Sequence, residues 1–364
     1  MKDRFFTAES VRAGHPDKVA DRISDAILDA CLSQDANSLV ACETLVTNNL
    51  VTVAGEISSV ASLDIPSVVH RVARDIGGTQ EHYGFSQTTP VQVIIQKQTP
   101  ILTENVRKGF AGDQGIMVGY ATKENPSAIP TPLWIAHHLV RKMDDFRCLG
   151  ASFLGPDGKS QVTVQYENDD PLKVTEATVS TQHDDTKSLA EVRYHLSELI
   201  ETEINSLGYE VGLVRVNPQE GLFMDGGPKA DTGLTGRKIV ADAYGPQIPC
   251  GGGAFSGKDP SKLDRSGAYA ARMMAKSLVK AGLVSRCQVQ LSYIIGVRGP
   301  ARIEVDDFGT GTVSQKGLLS FISSFDLSTE GIIERLNLRR PLYEATSFYG
   351  HFGDRDFPWE KENA

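Results

Sequence analysis

The chain has 364 residues, 40% hydrophobic and 23% charged, enough apolar content for two or three globular units with separate cores. A formal net charge of -9 excludes the broad positive surface that nonspecific nucleic-acid binding needs, so an anionic ligand must meet cations gathered locally. Cys31, Cys42, Cys148, Cys250 and Cys287 have no metal-ligand spacing, the N-terminus has no apolar signal core, and no segment is apolar for the length of a membrane span. A cytoplasmic protein with no membrane or nucleic-acid partner is expected.

Pro16 opens a helix over residues 17–33, with Val19, Ile23, Ile27 and Ala30 on one stripe and Asp21, Asp25 and Asp29 on another. Strands are expected at 39–46 and 50–57, then a helix at 66–76 stopped by Gly77 and Gly78. The order helix, strand, strand, helix recurs at 132–143, 161–166, 173–181 and 188–207. It returns at 266–281, 288–297, 301–305 and in helical segments within 315–338. The economical fold is α+β: three similar sheet-plus-helix domains, at 1–100, 111–225 and 226–364, each sheet covered by helices on one face. The first strand pair and the runs 91–98 and 288–297 are rich in β-branched residues and poor in charge, which predicts sheets packing at a homodimer interface.

The segment GGGAFSGKDPSKLD at 251–264 concentrates the chemistry. Its glycines let peptide N–H groups approach an anion, Lys258 and Lys262 supply charge, and Asp259 and Asp264 can hold a hard cation against phosphate. Gly252, Gly257 and Lys258 match P-loop positions, but Asp259 stands where that motif needs a hydroxyl for magnesium, so P-loop chemistry is not expected. GHPDK at 14–18 puts His15 and Asp17 at a helix N-terminus, which favours anions. DTGLTGRK at 231–238 sets Arg237 beside Lys238, and PDGKS at 156–160 offers Lys159 just before a strand. With Lys258 and Lys262 these are five cations, and His15 is a neutral or cationic sixth, suited to a triphosphate of about four negative charges. FAGDQG at 110–115 reads by itself as a simple turn around Asp113. Glu43 and Glu56 lie in strand-like segments, where a carboxylate needs solvent or a cation, and Phe223 either joins the core or stacks on a purine.

The motifs GHPDK, FAGDQG, GLTGRK and GGGAFSGKDPSKLDRS, with YGHFG at 349–353 and FPWEK at 357–361, resemble those of the S-adenosylmethionine synthetase (methionine adenosyltransferase) family, in the same order along nearly the whole chain. The resemblance implies three α+β domains with pseudo-threefold symmetry and active sites shared by the two subunits of a homodimer, itself half of a homotetramer. It implies that methionine sulfur attacks C5′ of ATP and that the released triphosphate is hydrolysed to pyrophosphate and phosphate, with Mg2+ and K+ as cofactors. By motif match His15, Lys159, Arg237, Lys238 and Lys258 are the catalytic set, and Asp157, Phe223, Asp231 and Ala254 complete ATP binding. Methionine binding falls to Glu56, Gln98, Asp231 and Lys262. Asp17 and Asp264 match Mg2+ ligands and Glu43 the K+ ligand. Residues 99–109 match a mobile lid, shorter here than in typical bacterial members. Cys250 replaces a usual His, Leu222 an Arg and Gly158 an Ala, so the adenine contacts are those most altered. A polyphosphate hydrolase and a noncatalytic nucleotide-binding subunit are the competing classes. Retention of Glu56, Gln98, Asp231 and Lys262 argues against the first, and of His15, Asp17, Lys258, Lys262 and Asp264 against the second.

Overall fold

The computed structural model describes residues 4–98, 109–354 and 356–361; the expected lid at 99–109 lies outside these, apart from Gly109. The first part of the chain runs β1 (Arg4–Val11), α1 (Pro16–Leu32), β2 (Leu39–Thr47), β3 (Leu50–Ser58), α2 (Ile65–Ile76), β4 (Val91–Gln96) and β5 (Gly115–Thr122). The middle is α3 (Thr131–Cys148), β6 (Leu154–Glu167), β7 (Asp170–His183), α4 (Leu189–Ser206) and β8 (Val211–Val216). The last part is β9 (Gly233–Leu234), α5 (Leu263–Lys280), β10 (Arg286–Tyr293), β11 (Arg302–Asp306), α6 (Gln315–Ile322) and α7 (Thr329–Leu336). Local chemistry sets the helix ends. Asp64 caps α2, which stops at Gly77 in a left-handed conformation, and Ser188 with Glu191 forms a capping box on α4.

Among the described residues there are three sheets, ordered β1-β6-β7-β8, β4-β3-β2-β9 and β11-β10-β5. All follow one plan. An antiparallel pair next in sequence (β6 with β7, β2 with β3, β10 with β11) is joined on its first strand by an antiparallel strand from elsewhere, namely β1, β9 or β5. The exchange is cyclic. The strand before α1 joins the sheet after α3, the strand before α3 joins the sheet after α5, and the strand before α5 joins the sheet after α1. The expected α+β repeat is present with pseudo-threefold order, and its sheets cross the sequence divisions near 100 and 225. Each sheet would expose an unpaired edge without the borrowed strand.

Helices α3 and α4 cover the first sheet through Ile135, Leu139, Val192, Leu196 and Ile200, packed on Val162, Val164 and Val179. Residues of α1, α2 and α5 share one core with the other two sheets. The apolar stripe of α1 is fully buried at Val19, Ile23 and Ile27. At Gly119 of β5 a side chain would lie 2.0 Å from the backbone of Ala271, so glycine permits the contact between β5 and α5. Strands β1, β5, β8 and β9 are additions to the elements expected from periodicity. PDGKS also differs: Lys159 lies inside β6 rather than just before it, because Pro156 and Gly158 belong to an irregular stretch of strand with a register shift between Leu154 and Gly158. The strand expected at 288–297 ends at Tyr293, and Gly296 turns the chain with φ 75°.

Alternation decides which sheet faces are open. On β10, Val289, Leu291 and Tyr293 point into the core, leaving Gln288, Gln290 and Ser292 outward opposite Asp306, Glu304 and Arg302, so this face is polar on β10 and β11, with exposed Ile116 of β5 beside Ser292. On the sheet of β2, β3 and β4, the outward residues are Ala41, Glu43 and Leu45, then Thr52, Ala54 and Glu56, then Gln92, Ile94 and Gln96. Leu45 is 36% and Ile94 56% exposed, so this face combines exposed apolar side chains with two carboxylates.

Candidate active site

Helix α1 starts at His15, whose Nδ1 accepts the Asp17 N–H at 3.2 Å. Burial, then the charges of Lys238 and Lys159, push the imidazole down to about 3, so His15 is neutral at physiological pH. It is not the sixth cation. With Nδ1 accepting, the ring proton sits on Nε2, which is the donor. Asp17 is buried and accepts Leu234 N–H at 3.0 Å through Oδ1, and its Oδ2 pairs closely with the Lys238 ammonium. Arg237 lies 3.9 Å from Asp17 and is largely exposed. Lys159 is exposed on β6, in register with Val11 of β1. Two strands, one helix start and the β9 turn therefore gather His15, Asp17, Lys159, Arg237 and Lys238.

A second group lines a cavity of about 190 Å3, formed by Ala41, Gln98, Gly112, Asp113, Lys258, Ser261, Lys262, Leu263 and Asp264. Lys258 Nζ lies 2.6 Å from Asp264 Oδ2, and Lys262 Nζ lies 2.9 Å from Asp259 Oδ2. The Gln98 amide oxygen is buried with no hydrogen-bond partner among the described residues. Asp113, read from sequence as part of a simple turn, lines this cavity together with Lys258 and Lys262. No local pattern reveals that, because its neighbours come from a distant part of the chain. Asp259 needs the opposite correction. It is buried and accepts Val40 N–H at 2.7 Å and Ser261 N–H at 2.8 Å, so it anchors the loop rather than offering free oxygens to a cation.

The remaining expected residues lie around these groups. Ala254 sits against the β9 turn, within 2.5 Å of where a Cβ on Gly236 would be. Asp157 is buried and accepts Gly227 N–H at 2.7 Å; burial raises its carboxyl above the usual range. Phe223 is half-buried and its backbone N–H and C=O bond to His183, while Asp231 is exposed at the end of a single helical turn. Glu56 accepts the Gln96 amide at 2.9 Å, and both Glu43 and Glu56 lie on the open face of the β2 to β4 sheet. Among the described residues, no hydrogen bond or ion pair joins His15, Asp17 or Lys238 to Lys258, Lys262 or Asp264. Nor do three His, Cys, Asp or Glu side chains converge as a metal site among them. Motifs YGHFG and FPWEK are core: Trp359 stacks on Tyr269, and His351 Nδ1 bonds the Tyr269 hydroxyl at 2.8 Å.

Comparison with known proteins accounts for this arrangement of motifs. The family models for the N-terminal, central and C-terminal domains of S-adenosylmethionine synthetase match residues 3–100, 108–220 and 225–361. The chain belongs to the S-adenosylmethionine synthetase family. An S-adenosylmethionine synthase from Desulforudis audaxviator (strain MP104C) is 48% identical over 382 residues, covering 99% of this chain and 96% of that one. The activity is methionine adenosyl transfer, and the S-adenosylmethionine synthetase domain order coincides with the three repeats of the fold. No helix among the described residues is long and apolar enough to cross a membrane.

Proposed function

We propose that two copies of the chain pair through the open faces of their β2 to β4 sheets and share two active sites, each joining the His15 group of one protomer to the Lys258 group of the other. The observation that carries this is that, among the described residues, no hydrogen bond or ion pair joins the two groups of expected site residues within one chain. Exposed Leu45 and Ile94 supply apolar surface for the pairing, and Glu43 and Glu56 on the same face would come to lie between subunits. The family resemblance extends the pair to a dimer of dimers. Five free thiols fit a reducing cytoplasm.

The chemistry asks little of a general base, because the methionine thioether has no proton to lose. The protein has to align sulfur with C5′ of ATP and stabilise charge on the departing triphosphate. Lys159, Arg237, Lys238 and Lys258 serve the triphosphate, and neutral His15 donates through Nε2 toward the breaking C5′–O bond. Phe223, Asp157, Asp231 and Ala254 line the nucleoside side. Lys262 meets the methionine carboxylate, Glu56 its ammonium, and the buried Gln98 oxygen accepts from it, with Asp231 and Asp113 nearby. Triphosphate held by the same cations then meets water, giving pyrophosphate and phosphate.

Asp17 and Asp264 suit Mg2+, which is bound through one or two hard carboxylates together with substrate phosphates rather than in a full protein cage. Their oxygens are paired with Lys238 and Lys258, and a magnesium triphosphate would compete for both partners at once. When bound, the ion neutralises phosphate charge. Glu43 suits K+ on the open face. Glu43→Gln is expected to weaken the rate response to K+ while leaving folding intact, measured as initial rate across a KCl series; an unchanged response removes this ligand.

Complementation tests the shared site. Lys238→Ala and Lys258→Ala proteins, each inactive, are mixed under conditions where subunits exchange. Half the dimers become mixed and each holds one intact site, so activity should return to about one quarter of wild type. Demonstrated exchange with no recovery would place both lysines in one chain's site and end the proposal.

A further inference from the structure

The acidic stripe of α1 is used by no step of the reaction, yet Asp21 and Asp25 have no exposed surface. Buried carboxylates are costly unless well paired, so their partners show what the stripe holds. Asp21 Oδ1 accepts Gly236 N–H at 2.8 Å, and Lys18 Nζ lies 3.0 Å from its Oδ2. Asp25 Oδ1 accepts Gly257 N–H at 2.8 Å, and its two oxygens receive the Arg265 fork at 2.6 and 2.9 Å. Arg265 Nη1 also donates to Lys258 O at 3.1 Å.

The two arrangements are the same device, repeated one helical turn along α1. Each carboxylate fixes a glycine in the left-handed region, with φ 79° at Gly236 and 80° at Gly257. Neither glycine has room for a side chain: a Cβ would lie 2.5 Å from Ala254 Cβ at one and 1.9 Å from Cys42 O at the other. The residue that follows is a cation in both cases, Arg237 and Lys258.

We propose that Asp21 and Asp25 are positioning residues for adenosyl transfer: each holds the glycine N–H immediately before a triphosphate-contacting cation, so one rigid helix sets where Arg237 and Lys258 begin their reach. This deepens the functional reading above and rests on it. A helix-borne anchor limits the drift of flexible lysine and arginine side chains, and small misplacements of such groups are expensive in rate.

The test is a double-mutant cycle in the full-length protein. Asp25→Ala removes the acceptor for Gly257 and strips Arg265 of its counter-charge, so it is run beside Asp25→Ala with Arg265→Gln, which removes both charges. Asp21→Ala is the safer third variant, because it removes the acceptor for Gly236 while Lys18 keeps Asp242 at 2.5 Å as a counter-charge. The readouts are kcat, KM for ATP and methionine, circular dichroism and subunit mass, with the Asp25 variants also made in Lys258→Ala and the Asp21 variant in Arg237→Ala. Native spectra with kcat lowered about tenfold and methionine KM within about twofold are expected. In the background lacking the cation, the same change should cost less than about twofold, because its target is already gone. A folded variant with wild-type kcat, or an equal loss in both backgrounds, overturns the positioning role. Wild-type activity of Lys258→Ala and Arg237→Ala alone would instead overturn the underlying assignment of those cations, and the two failures are read from different proteins.

Discussion

Lys258→Ala is expected to lower kcat for S-adenosylmethionine formation by about 10²–10³-fold, the loss typical when one preorganised donor to developing negative charge is removed. The substituted side chain is about a quarter exposed, and among the described residues its one ion pair is to Asp264, which has 27% of its own side chain exposed and can be rehydrated. Partly exposed pairs of this kind contribute at most about 1 kcal/mol, so the thermal midpoint should move by no more than about 2–4 °C. The backbone of the loop stays in place, since Gly257 N–H and Lys258 O are held by Asp25 and Arg265 and Cys42 N–H donates to Gly257 O at 2.9 Å. Rate and stability are thus separable at this residue. Steady-state assay at saturating ATP and methionine, with calorimetry on the same sample, checks both. Near-wild-type turnover would show that Lys258 serves only to pair Asp264. Hydrolysis of added triphosphate should fall as well, because the same cation faces the same anion in the second step.

What could be read from the sequence was mostly local. Pro16 and the stripe of Val19, Ile23 and Ile27 define α1 from within one segment, and Gly77 ends α2 by its own backbone preference. The helix, strand, strand, helix repeat was legible for that reason, since each member carries its own periodicity. The cyclic strand exchange was not. β1, β5 and β9 gain their place from partners far along the chain, and β9 has only two paired residues. The same division runs through the site. His15, Asp17, Arg237, Lys238, Lys258 and Lys262 stand in compact motifs with unusual glycine spacing. Asp113 and Asp259 are both acids beside glycine or proline in sequence, yet one faces the lysine cavity and the other turns into the loop's own N–H groups. Only long-range packing distinguishes them. The charge of His15 was open for a similar reason: burial and two lysines from other segments decide it.

The C-terminal motif FPWEK yields the largest expected effect on stability. Glu360 is buried and receives the Arg272 Nε and Nη2 donors at 2.8 and 2.9 Å, Lys276 Nζ at 2.9 Å and Gly353 N–H at 2.9 Å. Burial alone would raise its carboxyl, but Arg272 and Lys276 pull it below the usual range. Glu360→Gln keeps the shape and leaves the Arg272 guanidinium, which has no exposed surface, without a counter-charge. Breaking a buried pair in this way costs about 3–5 kcal/mol. Arg272→Met should cost more than Glu360→Gln, because Arg272 also donates to the carbonyls of Tyr120, Ala128 and Ser127, which would all lose a partner. These carbonyls belong to β5 and the turn before α3, so the arginine ties the C-terminal segment and α5 to a strand borrowed from another unit. Sign and pH follow from the lowered carboxyl. A group depressed in the folded state contributes its full stability above its unfolded value of about 4.5, and that contribution fades as pH falls through the lower folded value. The gap between wild type and Glu360→Gln should therefore be wide at neutral pH and close under acid. Denaturant unfolding at neutral and acidic pH measures it. A gap below about 1 kcal/mol at neutral pH, or Arg272→Met proving the milder change, would mean that the buried pair does not anchor the segment.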